Sequence, residues 1–315
     1  MKEKFDRFYG HKVTIITLSY NDFSRIERTI RSVFDQDIFM SRDVEYIIAD
    51  DGSDNYNYDF LVSKVSEYCC NEKIHCSFLI YSNEKNLGTV KSFNKAVSLS
   101  SGDIIIPLSS GDEFYNKSSV STILRAFESS NFQMLTAFRE ILSNDQAISV
   151  RPVRRDAELL KKGDRKETLK ALAVKGNFIS GACTYYQKKF LQEMGGFDED
   201  FVLLEDYPLY LKALKKGYSI GFIDRITMKH QIGGVSMSGR RKDVHPELIN
   251  DFAKVREWIT KNIPMTKRDR RYFNFFQVKS RKQRLSPKTI LFGFDCFAVW
   301  LCLYIYDGVK DKINK

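Results

Sequence analysis

The sequence predicts an α/β fold: a doubly wound, mostly parallel sheet with helices on both faces, followed by a helical C-terminal extension. Three observations predict it. Within the first 130 residues, four short runs of β-branched and apolar residues each precede a stretch whose apolar positions repeat at helical spacing. The segments just after those runs are rich in Asp, Asn, Ser and Gly, as the carboxyl ends of parallel strands are where loops open. The chain, at 315 residues, 43% apolar and 13% aromatic, is long enough to bury one large core with a smaller appendage.

The elements follow in order. VTIITL (13–18) is a short strand-like run, then comes SYND, then Ile26, Ile30 and Val33 on one helical face. The same alternation recurs as VEYIIA (44–49) before 59–69, IHCSFLIY (74–81) before 88–99, and DIIIPL (103–108) before 117–128. After residue 130 the pattern loosens: FQMLTAF (132–138) is strand-like, and the basic stretch 151–175 predicts a mobile connection. From Ile179 to Ser238 the order returns, with strand-like ISGACTYY, helix-like QKKFLQEM, a GGFDEDF turn, Glu205-Asp206, a helix over YPLYLKALKKG and strand-like SIGFID before KHQIGGVS.

Charge placement narrows the partners. The net charge is +10, but residues 261–315 hold 13 Lys and Arg against four Asp, a net of +9, which leaves +1 for residues 1–260. A near-neutral body with a basic, aromatic-rich tail predicts an anionic surface held by the tail, and a bilayer with acidic lipids is the simplest such surface. Nucleic acid is the competing polyanion and is not the expected partner. Within the tail, 289–306 (TILFGFDCFAVWLCLYIY) is apolar apart from Asp295 and about 27 Å long as a helix, the lower limit for a membrane span. A helix folded back on the body is the alternative. The six cysteines have no CxxC spacing, which disfavours structural zinc and a disulfide framework. The N-terminus MKEKFDRFYGHK lacks the apolar run of a secretory signal, so the expectation is a cytoplasmic protein, peripheral on the inner face of the cell membrane.

Four post-strand segments are the candidate site: SYND (19–22), DDGSD (50–54), SNEKNLG (82–88) and SSGDE (109–113). Each alone is ordinary turn chemistry. Together with GACTYYQKKFLQEMGGFDEDF and LLEDYPLYLKALKKGY, in this order, TLSYN, IIADDGSD and NLGTVKSFNKAVSLSSGDIIIPL resemble a family-2 inverting glycosyltransferase of the GT-A fold, of the bacterial surface-polysaccharide type. The resemblance covers about 12–238. It implies a catalytic domain over 1–238, with a nucleotide-binding half at about 12–130 and an acceptor half at about 131–238, and leaves 239–315 as the basic extension.

The resemblance also implies roles. Asp51 faces the nucleotide base, supported by Asp50, with Ser19, Tyr20 and Asn21 lining the same pocket; a UDP-sugar is the favoured donor. Asn86 and Gly88 open the 88–99 helix with Lys91 one turn in, which can turn N–H groups and a cation toward a diphosphate. The SSGDE segment departs from the family, which carries two or three aspartates here; only Asp112 remains, with Glu113 a lesser helper. Asp112 is therefore the expected ligand of a divalent metal, Mg2+ or Mn2+, with His230 as second ligand. Asp206 takes the position of the general base and Glu205 orients the acceptor, a saccharide or a lipid-linked sugar. Gly195, Gly196 and Phe197 form a structural turn, and Gly233 and Gly234 a loop near the diphosphate. Two other classes stay open: a non-catalytic nucleotide-sugar or polysaccharide binder, suggested by the thinned acidic cluster, and a nucleotidyltransferase, whose Gly-rich phosphate loop TLSYND lacks.

Overall fold

The computed structural model describes residues 12–40, 43–71, 76–232 and 245–313. Gly233 and Gly234 lie outside the described residues. Among the described residues nine strands form one sheet: β1 (Val13–Ser19), β2 (Val44–Asp50), β3 (Ser77–Ser82), β4 (Ile104–Ser109), β5 (Glu113–Phe114), β6 (Met134–Ser143), β7 (Gln146–Arg151), β8 (Thr184–Gln187) and β9 (Ile220–Gln231). Their order is β3-β2-β1-β4-β8-β6-β9-β5, with β7 paired to β6.

The parallel block β3-β2-β1-β4 is the one the four βα runs predict, and its register sets Ser19, Asp50 and Ser82 side by side at the strand ends. β8 pairs antiparallel with both β4 and β6, and β6 pairs parallel with β9. Two reversals restore the direction, so the carboxyl ends of β6 and β9 open on the same edge as those of β1, β2 and β4. Ligand-binding residues of both halves can therefore meet at one edge.

Alternate side chains of the strands feed two cores. Ile16, Ile47 and Ile105 face one, with Phe93, Phe190 and Tyr210. Ile15, Tyr46 and Ile106 face the other, with Ile26, Leu61 and Ile123. Helices α1 (Phe23–Phe34), α2 (Tyr58–Asn71) and α4 (Ser119–Glu128) cover the second face, while α3 (Thr89–Leu99) covers the first. Both faces buried is what near-continuous apolar strands require.

The basic stretch 151–175 is not a mobile connection. It forms α5 (Arg154–Lys161) and α6 (Arg165–Lys175), which bury Ala157, Leu160, Ala171, Leu172 and Val174. Small buried residues between charged ones give a weak apolar period, and tertiary packing supplies the rest.

Helices α7 (Lys188–Met194) and α8 (Asp206–Lys216) join the first core, and so does the start of the C-terminal extension. Helix α9 (Pro246–Asn262) places Leu248, Val255 and Ile259 in that core. Beyond it come α10 (Lys267–Phe273), α11 (Arg281–Arg284), α12 (Pro287–Phe292) and α13 (Phe294–Ile313). The 289–306 stretch is thus two helices, divided at Gly293. No helix among the described residues is long and apolar enough to cross a membrane.

Candidate active site

Asp50 ends β2 fully buried, and its carboxylate accepts hydrogen bonds from the Ser53 N–H (2.8 Å), the Ser53 hydroxyl (2.5 Å) and the Ser82 hydroxyl (2.7 Å). It shapes the turn. Asn21, at φ +50°, donates its N–H to Ser53 Oγ (2.7 Å) and accepts from the Asp54 N–H (3.1 Å), so the loops after β1 and β2 form one rim. Tyr20 stands 46% exposed on that rim, and the Ser19 hydroxyl is buried without a hydrogen-bond partner.

Asp51 accepts from four donors: Ser92 Oγ (2.5 Å), Leu87 N–H (2.8 Å), Gly88 N–H (2.9 Å) and Asn83 Nδ2 (3.0 Å). It ties the 83–88 loop and the start of α3 to the end of β2. The Leu87 and Gly88 N–H groups just before this helix therefore point at Asp51, and the Val90 N–H in its first turn points at the Val202 carbonyl (3.2 Å). The Asn86 side chain turns inward too, accepting from the Gly88 N–H at 2.9 Å, while Lys91 is exposed on the first turn of α3. Gly88 sits at φ +84°, and a Cβ there would lie 2.7 Å from Val202 Cγ1 and 2.8 Å from the Val202 carbonyl oxygen. A glycine is required where α3 meets the segment leading to Glu205.

Asp112 and His230 come together from the ends of β4 and β9. His230 Nδ1 lies 2.8 Å from Asp112 Oδ1 and 3.0 Å from Oδ2, and His230 Nε2 is buried with no partner. An ionised carboxylate only accepts, so Nδ1 is the donor, and in the neutral imidazole the lone pair is then on Nε2. Glu113 is held elsewhere: Arg28 pairs with it and with Asp145, each at 2.6 Å. Among the described residues no group of three or more His, Cys, Asp and Glu forms a metal cluster.

On the acceptor side, Asp206 is the first residue of α8. Its Oδ1 accepts from the Tyr207 N–H (2.6 Å) and its Oδ2 from the Gly181 N–H (2.9 Å) and Asn177 Nδ2 (3.2 Å). Burial raises the Asp206 pKa above its ordinary value, and those hydrogen bonds and the charge of Arg139 work against the rise. Burial and then the Asp206 charge push Glu205 up to about 8. Neighbouring buried carboxylates do not both ionise readily. Of the two, Asp206 has the hydrogen bonds that favour the charged form, and Glu205 is the one burial and its neighbour's charge push further toward the protonated form. Gly181 permits the approach, since a Cβ there would lie 2.9 Å from Glu205 Oε1.

A narrow pocket joins the halves, lined by Leu18, Thr89, Ser109, Gly181, Tyr186 and Glu205. Among the described residues five buried side-chain polar atoms lack a hydrogen-bond partner, and Ser19 Oγ, His230 Nε2 and Arg139 Nε sit toward this one edge of the sheet. Unpaired buried polar atoms are costly in a closed interior, and three of these five lie where the strand ends open.

Two residues escaped the sequence reading. Arg139, within β6, carries charge near Asp206 and had no local signal. Asp251 had one: it occupies the buried face of α9 with Leu248, Val255 and Ile259, where an acid is out of place. Its Oδ2 accepts from the N–H groups of Val202, Leu203 and Leu204, at 3.0, 2.8 and 3.1 Å, and so fixes the approach to Glu205.

A sequence profile of glycosyl transferase family 2 matches residues 14–195, more than half of the chain. The chain belongs to glycosyl transferase family 2. That match holds Asp51 and Asp112 and stops short of Asp206 and His230, which the fold brings to the same edge. The chain is 28% identical over 141 residues to the O-antigen chain rhamnosyltransferase WbaN of Salmonella anatum, 44% of this chain and 44% of that protein's length. It is 24% identical over 202 residues to an uncharacterized glycosyltransferase of Mycobacterium tuberculosis, 64% of this chain and 68% of that one. Among solved structures it superposes on S. aureus TarS residues 1–349 in complex with UDP-GlcNAc, with a TM-score of 0.60 at 17% identity over 91% of this chain and 78% of that one. The UDP complex of the same protein gives 0.58 at 15% identity, over 87% and 74%. This likeness shows the GT-A fold.

Proposed function

We propose that the chain transfers one sugar from a nucleoside-diphosphate sugar to a saccharide or lipid-linked acceptor with inversion, as a step in building a surface polysaccharide. A UDP-sugar is the favoured donor. The observation that carries this is the shared pocket: Leu18 in β1, Ser109 at the end of β4 and Thr89 at the start of α3 meet Glu205 there, beside an Asp206 held by three hydrogen bonds. That TarS is known in complex with UDP and UDP-GlcNAc, and that WbaN is a rhamnosyltransferase, supports a donor of this class.

The Tyr20 ring on the β1–β2 rim offers an exposed face for a nucleotide base, and Asp50 and Asp51 hold that rim in shape. Asn86 and Gly88 take part through the Asp51 clamp, and Lys91 supplies a cation at the start of α3. Asp206 accepts the acceptor's hydroxyl proton as the hydroxyl attacks the anomeric carbon, and the bond to the diphosphate breaks on the opposite face. Three of the carboxylate's roughly four acceptor positions are taken, which leaves one on Oδ1. Protonated Glu205 orients the acceptor by hydrogen bonding.

The buried, unpartnered His230 Nε2 fits a ligand of a divalent cation, which the imidazole would make Mn2+ rather than Mg2+, and Asp112, on Nδ1 at the other side of the ring, would orient it and would ligate the cation itself only by giving up that contact. When bound, such a metal offsets charge growing on the leaving diphosphate.

The test is thermal stabilisation by a panel of nucleotide sugars with and without Mn2+, followed by the anomeric configuration of the product. Stabilisation by one nucleotide sugar and an inverted product support the reading, and retention of configuration overturns it. A non-catalytic binder is the second reading, favoured by the two-residue metal set among the described residues. Donor binding with no transfer to any acceptor supports it.

A further inference from the structure

The C-terminal helices hold a groove that the transfer chemistry leaves unused. Helix α10 is anchored to the body: a Thr266–Asp269 capping box starts it, Lys170 pairs with Asp269 at 2.9 Å, and Phe273 and Phe275 are buried. Arg271 pairs with Asp295 at 2.5 Å and so ties α13 to α10. Between α10, α11, α12 and the start of α13 lies an open groove of about 1200 Å3.

The composition of that groove is one-sided. Lys267, Arg270, Arg271, Lys279, Lys282 and Lys288 line it and no Asp or Glu does. Apart from Arg271, none of these cations has a carboxylate partner among the described residues. Phe275, Leu285, Phe292 and Cys296 supply apolar wall. At its mouth Leu291, Phe292 and Phe294 are 75%, 73% and 66% exposed, on either side of the Gly293 break. Large apolar side chains in water beside unpaired cations are unfavourable in a free monomer, and both are matched by one partner: an anionic head group with acyl chains attached. Nucleic acid matches the charge but not the exposed Leu and Phe.

We infer that this groove is a binding site for acidic phospholipid, with Lys267, Arg270, Lys279, Lys282 and Lys288 on the head groups and Leu291, Phe292 and Phe294 entering the acyl boundary. The inference deepens the membrane-surface expectation drawn from the basic tail and makes the chain a surface-lying rather than a spanning protein. The six-residue α12, the break at Gly293 and a 20-residue α13 that carries the Arg271–Asp295 pair and is not apolar enough to cross a membrane suit a position in the interfacial plane.

The experiment is co-sedimentation of the full chain, without donor, with vesicles of phosphatidylcholine alone or mixed with phosphatidylglycerol. Binding to the mixed vesicles only, released by high salt, is expected. Lys279→Gln/Lys282→Gln/Lys288→Gln weakens it by on the order of 100-fold, and Leu291→Ser/Phe292→Ser/Phe294→Ser weakens it as well. Both variants alter exposed or half-exposed residues, and their melting temperatures and vesicle-free stabilisation by nucleotide sugar stay at the wild-type values. Equal binding to neutral vesicles, no sedimentation, wild-type binding by the lysine variant, or full displacement by inorganic phosphate overturns the inference. Because donor binding is read without vesicles and vesicle binding without donor, failure here is distinct from failure of the glycosyltransfer reading.

Discussion

His230 Nδ1 lies 2.8 Å from Asp112 Oδ1 across 118 residues of chain, and its other nitrogen is buried with nothing to bond. The two side chains act as a unit, so their substitutions should not add. Asp112→Asn and His230→Ala each remove the Mn2+-dependent part of donor stabilisation, and the double variant loses no more than either single one. Independent, additive losses in the melting curves would disprove the shared role.

Asp206→Asn lowers kcat by about 10²- to 10⁴-fold, the usual contribution of a positioned base, and leaves donor affinity unchanged. Steady-state rates and donor titration measure the two quantities separately. Transfer at the wild-type rate would remove Asp206 from the mechanism.

Glu205 fixes a pH dependence. It holds its proton up to about 8 in the fold and loses it near its ordinary value of 4.5 when the chain unfolds. Between these values the folded chain binds the extra proton, so this contribution is fully present below about 4.5 and is lost as pH rises to about 8. Asp206, also raised, acts in the same direction. Glu205→Gln removes the slope: its advantage in melting temperature over wild type grows from acid to alkaline pH. The rate profile of wild type changes near 8, and that of the variant does not. Parallel stability curves for the two proteins would contradict this assignment.

Gly88→Ala and Gly195→Ala separate backbone strain from steric clash. Both glycines have positive φ, +84° and +80°, but a Cβ at Gly88 meets Val202 and one at Gly195 meets nothing within 4 Å. Gly195→Ala costs about 1–2 kcal/mol for the left-handed conformation alone. Gly88→Ala costs more and also reduces activity, since α3 is pushed from the segment leading to Glu205. Denaturant unfolding compares them directly.

Asp251→Ala leaves the N–H groups of Val202, Leu203 and Leu204 without their acceptor. Stability falls by about 3 kcal/mol and kcat drops with it, while Asp251→Asn, which keeps an acceptor oxygen, recovers part of both. A variant with wild-type turnover would show that the 202–204 segment does not position the acid pair.

The sheet was legible because each βα unit declares itself locally: VTIITL, VEYIIA and DIIIPL are short β-branched runs that suit a strand buried on both faces, and polar residues stand where the chain leaves the sheet. Asp50, Asp51, Asp112, Glu205 and Asp206 could be picked out for the same reason, as acids at strand or helix ends. The helices at 154–175 were not legible, because their apolar residues are small and few.

By itself, then, the sequence determined the parallel block, the polar strand ends and the charge asymmetry of the tail, all of which depend on residues close together in the chain. Tertiary structure alone decided the Asp112–His230 contact, the commitment of Asp51 to the 83–88 loop, the proton held by Glu205 and the burial of Asp251. These depend on which distant groups share a low-dielectric interior and which hydrogen bonds water can no longer supply, and neither is encoded in local spacing.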